Sequence, residues 1–152
     1  LLISATGIGS IIGNLFISHY QESRKLGIMM LSSAAIAPFC LIGFSLVAWI
    51  FAGTEGAFWL ACCFVILASA LSSVFLVSSM TVLQVKVPDD FRGRVMGIHS
   101  ITFSMISLGG LVAGVIAAKF SAPVAVVIGA LVVISSVTLV MFKFSEIVKL
   151  EI

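Results

Sequence analysis

The chain has 152 residues, of which 61% are hydrophobic and only 9% charged, with a formal net charge of +2 and a mean hydropathy of +1.31. A soluble domain carries about 25% charged residues, so this composition excludes a globule covered by water. It also argues against a nucleic-acid binder, because the eight basic residues are spread along the chain and form no patch.

A helical span needs about 20 mostly apolar residues, which leaves room for about five spans and little else. The first apolar run covers residues 1–17 and carries Gly7, Gly9 and Gly13, with Asn14 as its most polar group. The chain opens directly on Leu1-Leu2-Ile3, with no Met and no basic stretch. That start is unlike a signal peptide and is expected for a chain that begins within a helix of something longer. A wet loop from His19 to Lys25 leads to the second run, residues 28–51, with Pro38 inside it. Proline removes one helical hydrogen bond and is expected to kink this span.

Gly53-Thr54-Glu55-Gly56 is a turn, flanked by Trp49 and Trp59 as interfacial anchors. The third run covers 58–83. Gln84 to Arg94 then holds the densest charge in the chain: Lys86, Asp89, Asp90, Arg92 and Arg94. The fourth run covers 95–118, Lys119 and Pro123 mark a turn, and the fifth covers 124–142 before a charged tail. Runs of this length are too long for strands of a membrane barrel, which alternate over about ten residues. Helices satisfy every backbone group internally, as hydrocarbon demands. The expected fold is an all-α, polytopic transmembrane bundle forming one domain over residues 1–152.

Five spans place Arg24, Lys25, Lys86, Arg92, Arg94, Lys143 and Lys149 on one side and Lys119 alone on the other. The positive-inside rule assigns the rich side to the cytoplasm. A missed span would scramble this separation.

Helices in lipid associate through close contact at small residues. Ala5, Gly9 and Gly13 have spacing four in the first run. In the fourth, Gly97, Ser100, Ser104, Ser107, Gly110, Gly114 and Ala118 fall within an arc of about 140°. Gly9, Gly13, Gly110 and Gly114 are therefore the expected packing glycines, and the Ser-rich stripe is either a packing face or the lining of a hydrated path. The fifth run is apolar nearly all round, which suits a lipid-facing place at the bundle edge.

Cys40, Cys62 and Cys63 all lie inside apolar runs with no His or carboxylate at ligand spacing. They read as small buried hydrophobes, and neither a metal site nor a cofactor is expected. An ionisable group inside a span is a functional candidate by default, and His99 is the one that stands out, about one turn into the fourth run. It is either a hydrogen-bonded interfacial histidine or a proton-sensitive, substrate-facing group, since histidine changes charge near neutral pH. Asn14 and Ser104 are the other candidate cavity residues. No catalytic arrangement is visible: there is no Ser/His/Asp set, paired carboxylate or phosphate loop. The chain is expected not to be an enzyme.

The segment from Gln84 to Gly97 reads as a helix end, a turn and a helix start. Pro88 stops one helix, Asp89 and Asp90 favour the N-terminus of the next, and Arg92 and Arg94 can reach lipid phosphates, the acids or carbonyls of a neighbouring helix. Gly93 leaves room for another backbone. The segment is either a solvated, topology-setting loop or a latch that steadies one state of a moving bundle.

Pro88-Asp89, Arg92-Gly93-Arg94-Val95-Met96-Gly97 resembles the loop between the tenth and eleventh spans of the major facilitator superfamily, in its bacterial drug and siderophore exporter branch. Gly7-Ile8-Gly9-Ser10-Ile11-Ile12-Gly13 is similar to the glycine-rich eighth span of that branch, and Gly109-Gly110-Leu111-Val112-Ala113-Gly114 to its eleventh. The resemblance covers essentially the whole chain and keeps the order of the motifs. It implies that these are the eighth to twelfth spans of a twelve-span transporter, a partial C-terminal half without its N-terminal half. It also implies cytoplasmic placement of the charged loops, with the second and fifth runs at the periphery. One departure stands out: after Gly13 the chain reads Asn14-Leu15-Phe16-Ile17-Ser18-His19, and no acid appears before Glu22, where the family often has a charged gate.

Two functions of different class follow as expectations. One is secondary active efflux of a drug-like or siderophore-like small molecule across the inner cell membrane by alternating access, with the lipid bilayer and the missing N-terminal half as partners. The other is a small structural or assembly membrane protein, or a transporter remnant.

Overall fold

In the computed structural model the described residues are 2–20, 26–51 and 55–143. They form five helices: α1 (Leu2–Tyr20), α2 (Leu26–Ile50), α3 (Glu55–Lys86), α4 (Asp89–Lys119) and α5 (Ala122–Lys143). All five are long and apolar enough to cross a membrane, and no strand occurs among the described residues. The architecture is that of an all-α, multi-pass membrane protein. Arg24, Lys25, Gly53, Thr54, Glu146 and Lys149, which the sequence places in loops or the tail, lie outside the described residues.

The helices outrun the apolar runs that mark them. α3 has 32 residues and α4 has 31, each about 47 Å at 1.5 Å per residue, against about 30 Å of hydrocarbon. Hydropathy marks the dry part of a helix, whereas backbone hydrogen bonding continues into the interface. The charged stretch that reads as a loop is therefore mostly helix. α3 runs through Lys86 and α4 begins at Asp89, so the joint is only Val87 and Pro88. A proline disfavours helical geometry in the residue before it, and Pro88 itself is extended at φ −55° and ψ 148°. At the other end of α4, the Phe120 N–H donates to the Ile116 carbonyl at 2.9 Å, and Pro123 sits in the first turn of α5, where its missing donor costs nothing.

The helices pack in the spatial order α1, α3, α2, α5, α4, with only a thin contact between α3 and α4 closing the row. The α1–α3 seam shows why small residues matter without a hydrophobic driving force. Ala5, Gly9, Gly13 and Ile17 recur every fourth residue on α1 and are all buried. A Cβ on Gly9 would overlap the Ile66 carbonyl oxygen and lie 2.9 Å from the Ser69 Cβ. A Cβ on Gly13 would overlap the Ala70 carbonyl oxygen and lie 3.0 Å from its Cα. The same closeness lets the Ser69 hydroxyl donate to the Thr6 carbonyl at 2.6 Å. One turn on, Ile17 packs against Val74, with Met29, Val77 and Val82 around them.

α2 is the most enclosed helix. Pro38 lies fully buried inside it, and a Cβ on Gly43 would lie 2.6 Å from the Phe64 ring. The buried Ser45 hydroxyl donates to the Pro123 carbonyl at 2.8 Å and ties α2 to α5. Hydrogen bonds between membrane helices contribute about 0.6 to 1.7 kcal/mol. Ser45→Ala is expected to lower stability by about 1 kcal/mol, read as an earlier midpoint in detergent-induced unfolding.

The packing expected at Gly110 and Gly114 finds no partner among the described residues, and the place expected for α5 needs correction. Gly110 and Gly114 meet no atom within 4 Å of where a Cβ would stand, and neither do Gly93 and Gly97. No residue of α4 is buried, so its small-residue stripe packs against nothing among the described residues. α5 is not at the edge of the bundle. It lies between α2 and α4, with Ala125 and Ala130 buried, and α4 takes the outer place. An evenly apolar helix looks the same from sequence whether lipid or helices surround it.

The Ser78 hydroxyl is fully buried and has no hydrogen-bond partner among the described residues. An unmet buried donor is costly, while its removal with little change of shape is not. Ser78→Ala is therefore expected to leave stability unchanged or raise it by about 1 kcal/mol. The same unfolding assay measures it, with the opposite sign from Ser45→Ala.

Candidate functional site

The thin contact between α3 and α4 leaves a wedge. The two helices are held together at their joint, where the Arg92 guanidinium donates to the Gln84 carbonyl at the end of α3, 3.2 Å away. The same group pairs with Asp89 at 2.8 Å. With one carbonyl and one carboxylate, Arg92 spans the turn around Pro88. The ion pair is largely exposed, 48% for the Arg92 side chain and 85% for Asp89, so its Coulomb term is weak and its role is to set the angle at which α4 leaves the joint. Asp90 shares the first turn with Asp89, where the helix dipole favours acids. Arg94 makes no bond among the described residues and stands exposed.

Beyond the clasp, α4 leans on α5 and away from α3. The resulting cavity of about 580 Å³ is lined by Ser79, Val82 and Leu83 of α3 and by His99, Thr102, Phe103 and Ile106 of α4, with Met30 reaching in from α2. A second cavity of about 560 Å³ between α2, α3 and α5 shares Met30, Phe75 and Leu76 with it. Together they make one cleft under the α4–α5 hairpin. Each volume falls within the range of about 300–1,000 Å³ usual for small-molecule sites. The cleft lies toward the end of the bundle where α3 and α5 finish and α4 begins, which is the end carrying Lys86, Arg92, Arg94 and Lys143.

His99 is thus a cleft residue, half-buried on the face of α4 that looks at α3. Its ring packs edge-on against Phe103, with centroids 5.3 Å apart and planes at 85°. Arg92 lies seven residues earlier on nearly the same face of the helix. The hydroxyls that line the cleft are turned to their own helices: Ser79 donates to the Leu76 carbonyl at 3.2 Å and Thr102 to the Ile98 carbonyl at 3.3 Å. His99 is the one titratable side chain lining the cleft among the described residues.

The other two sequence candidates fall elsewhere. Asn14 is exposed on α1, outside the cleft. Ser104 is exposed on α4, on the small-residue stripe about 140° round the helix from His99. Neither joins His99. The residues that sequence reasoning missed are Met30, Phe75, Leu76, Val82 and Leu83, which are apolar side chains in apolar runs with nothing to mark them. Cys40, Cys62 and Cys63 carry free thiols, but only Cys40 is buried as expected; Cys62 is half-buried and Cys63 is exposed on α3. No cluster of three metal-ligating side chains occurs among the described residues.

No protein-family model, curated protein or solved structure matches the chain. The site stands on its own geometry.

Proposed function

We propose that this chain is part of a secondary active transporter of the major facilitator kind, moving a small organic molecule across the cell membrane by alternating access. The observation that carries the reading is the His99 cleft: a drug-sized, mostly apolar cavity in the bundle, holding one titratable group among the described residues that line it. The order of the motifs around Pro88-Asp89 and Arg92-Gly93-Arg94 supports it. In this reading the basic end faces the cytoplasm, by the positive-inside rule. The open stripe of α4 with Gly97, Gly110 and Gly114 meets helices of the other half.

A structural or assembly role is the second reading. It draws on the same exposed face of α4, where small residues leave room for a partner helix. Flux separates the two. Inverted membrane vesicles carrying the whole reading frame are given a panel of dyes and siderophores under a proton gradient. The transport reading expects gradient-dependent uptake that His99 or Arg92 variants alter. Absence of flux across the panel, with insertion verified, removes that reading in favour of the structural one.

A further inference from the structure

The chemistry of the cleft selects among solutes. Its walls are hydrocarbon and aromatic rings, from Phe75, Leu76, Phe103 and Ile106 together with Val133 and Val140 on the α5 side. Among the described residues that line it there is no carboxylate, so nothing there compensates a buried cation, and an unpaired charge in such a place is expensive. The side chain able to meet a charged ligand is the imidazole of His99, which donates a hydrogen bond when neutral and two when protonated. The helix ends around that end of the cleft carry four basic residues, Lys86, Arg92, Arg94 and Lys143, against two acids, Asp89 and Asp90. Asp89 is already engaged by Arg92, and Arg94 has no partner among the described residues. The apolar space and the positive edge are thus stacked along one axis of the bundle.

We infer that the cleft between α3 and the α4–α5 hairpin binds an amphipathic anion, with its apolar body between Phe75 and Phe103 and its acidic head at His99, toward the basic helix ends. The inference deepens the transport proposal and rests on it for the consequence of binding, but binding itself needs no gradient. A free alkyl acid and the tail and head of an anionic lipid share this chemistry. Cationic amphiphiles are disfavoured by the same groups that hold the anion.

The test is photolabelling of the purified protein in nanodiscs of neutral lipid, with three probes carrying a diazirine at the same chain position: a long-chain fatty acid, the matching alkylammonium and a phosphatidylglycerol. Labelled residues are mapped by peptide mass spectrometry. The expected result is labelling by an acidic probe within residues 75–83 of α3 and 99–106 of α4, with the ammonium probe absent from both segments. Selective labelling by the fatty acid identifies a free acid as occupant, and selective labelling by phosphatidylglycerol identifies a lipid; either supports the inference. His99→Ala is expected to reduce acid labelling at these segments about tenfold, the loss of one charge-assisted hydrogen bond, while His99→Lys retains it. Equal labelling by the ammonium probe, no labelling of these segments by either acid, or indifference to His99→Ala overturns it. Because the discs carry no gradient, a protein that labels as expected and moves no solute would defeat the transport proposal alone.

Discussion

Gly13→Leu is expected to separate α1 from α3 and to lower stability by about 3 kcal/mol, the upper range for forcing bulk into a packed interface. The first atom a side chain at this position meets is the backbone carbonyl oxygen of Ala70, followed by the Ala70 Cα. Neither can rotate out of the way as a side-chain tip would, so the helices must move apart. Separation also breaks the bond from Ser69 to the Thr6 carbonyl and opens the contact between Ile17 and Val74. Gly114→Leu is the control. It repeats the same substitution on a membrane helix where nothing lies within 4 Å, and it is expected to change stability by less than about 0.5 kcal/mol. Detergent-induced unfolding followed by Trp59 on α3 measures both. Similar losses at the two glycines would mean that the α1–α3 seam is not the tight interface described here.

The second large effect concerns pH. In the proposed transporter, His99→Ala is expected to flatten the dependence of flux on pH, because histidine is the residue type that changes charge near neutral pH. Wild type should keep a clear slope. The groups that face His99 from α2 and α3 are Met30, Phe75, Leu76, Ser79, Val82 and Leu83, none of them titratable. On its own helix Arg92 shares its face two turns away, outside the lining of the cleft. No other lining residue of the described cleft can therefore supply the slope. Ser104→Ala, on the outward stripe of α4, is expected to leave the profile unchanged. An unaltered profile in His99→Ala would take this residue out of the proton path.

The sequence carried the fold further than it carried the site. Membrane helices must satisfy their backbone internally, so length and hydropathy determine that helices form, and all five emerge where apolar runs occur. The spacing of Ala5, Gly9 and Gly13 marked a real seam because close approach leaves no alternative to small residues. The same spacing at Gly110 and Gly114 marks a face with no partner among the described residues, since the pattern records that a backbone can approach but not which one does. α5 shows a related ambiguity. Its uniform apolarity fits lipid on all sides, yet it lies between α2 and α4, because lipid tails and leucine side chains are chemically alike.

The site was legible only where its chemistry is polar. His99 stood out as an ionisable group within a span, and Arg92 as a cation beside a helix joint. Asn14 and Ser104 stood out for the same reason, but polarity does not report direction, and Ser104 lies about 140° round α4 from His99. The wall of the cleft opposite His99 includes Met30, Phe75, Leu76 and Leu83, and only the splay of α4 from α3 distinguishes these from any other apolar residues. That splay follows from the short joint at Val87 and Pro88 and the Arg92 clasp, a geometric outcome with no signature of its own in composition.

The cleft depends on α3 and α4 both crossing the membrane and meeting at a joint on its basic side. Site-directed thiol labelling in sealed vesicles of known orientation tests this most directly. In a background where Cys40, Cys62 and Cys63 are replaced by alanine, Arg94→Cys and Phe120→Cys are introduced singly and exposed to a membrane-impermeant maleimide. The expected result is labelling at position 94 from one face alone, the cytoplasmic one in the proposed orientation, and at position 120 from the opposite face alone. Labelling of both positions from the same face would mean that α4 does not span, and would contradict the architecture on which the cleft depends.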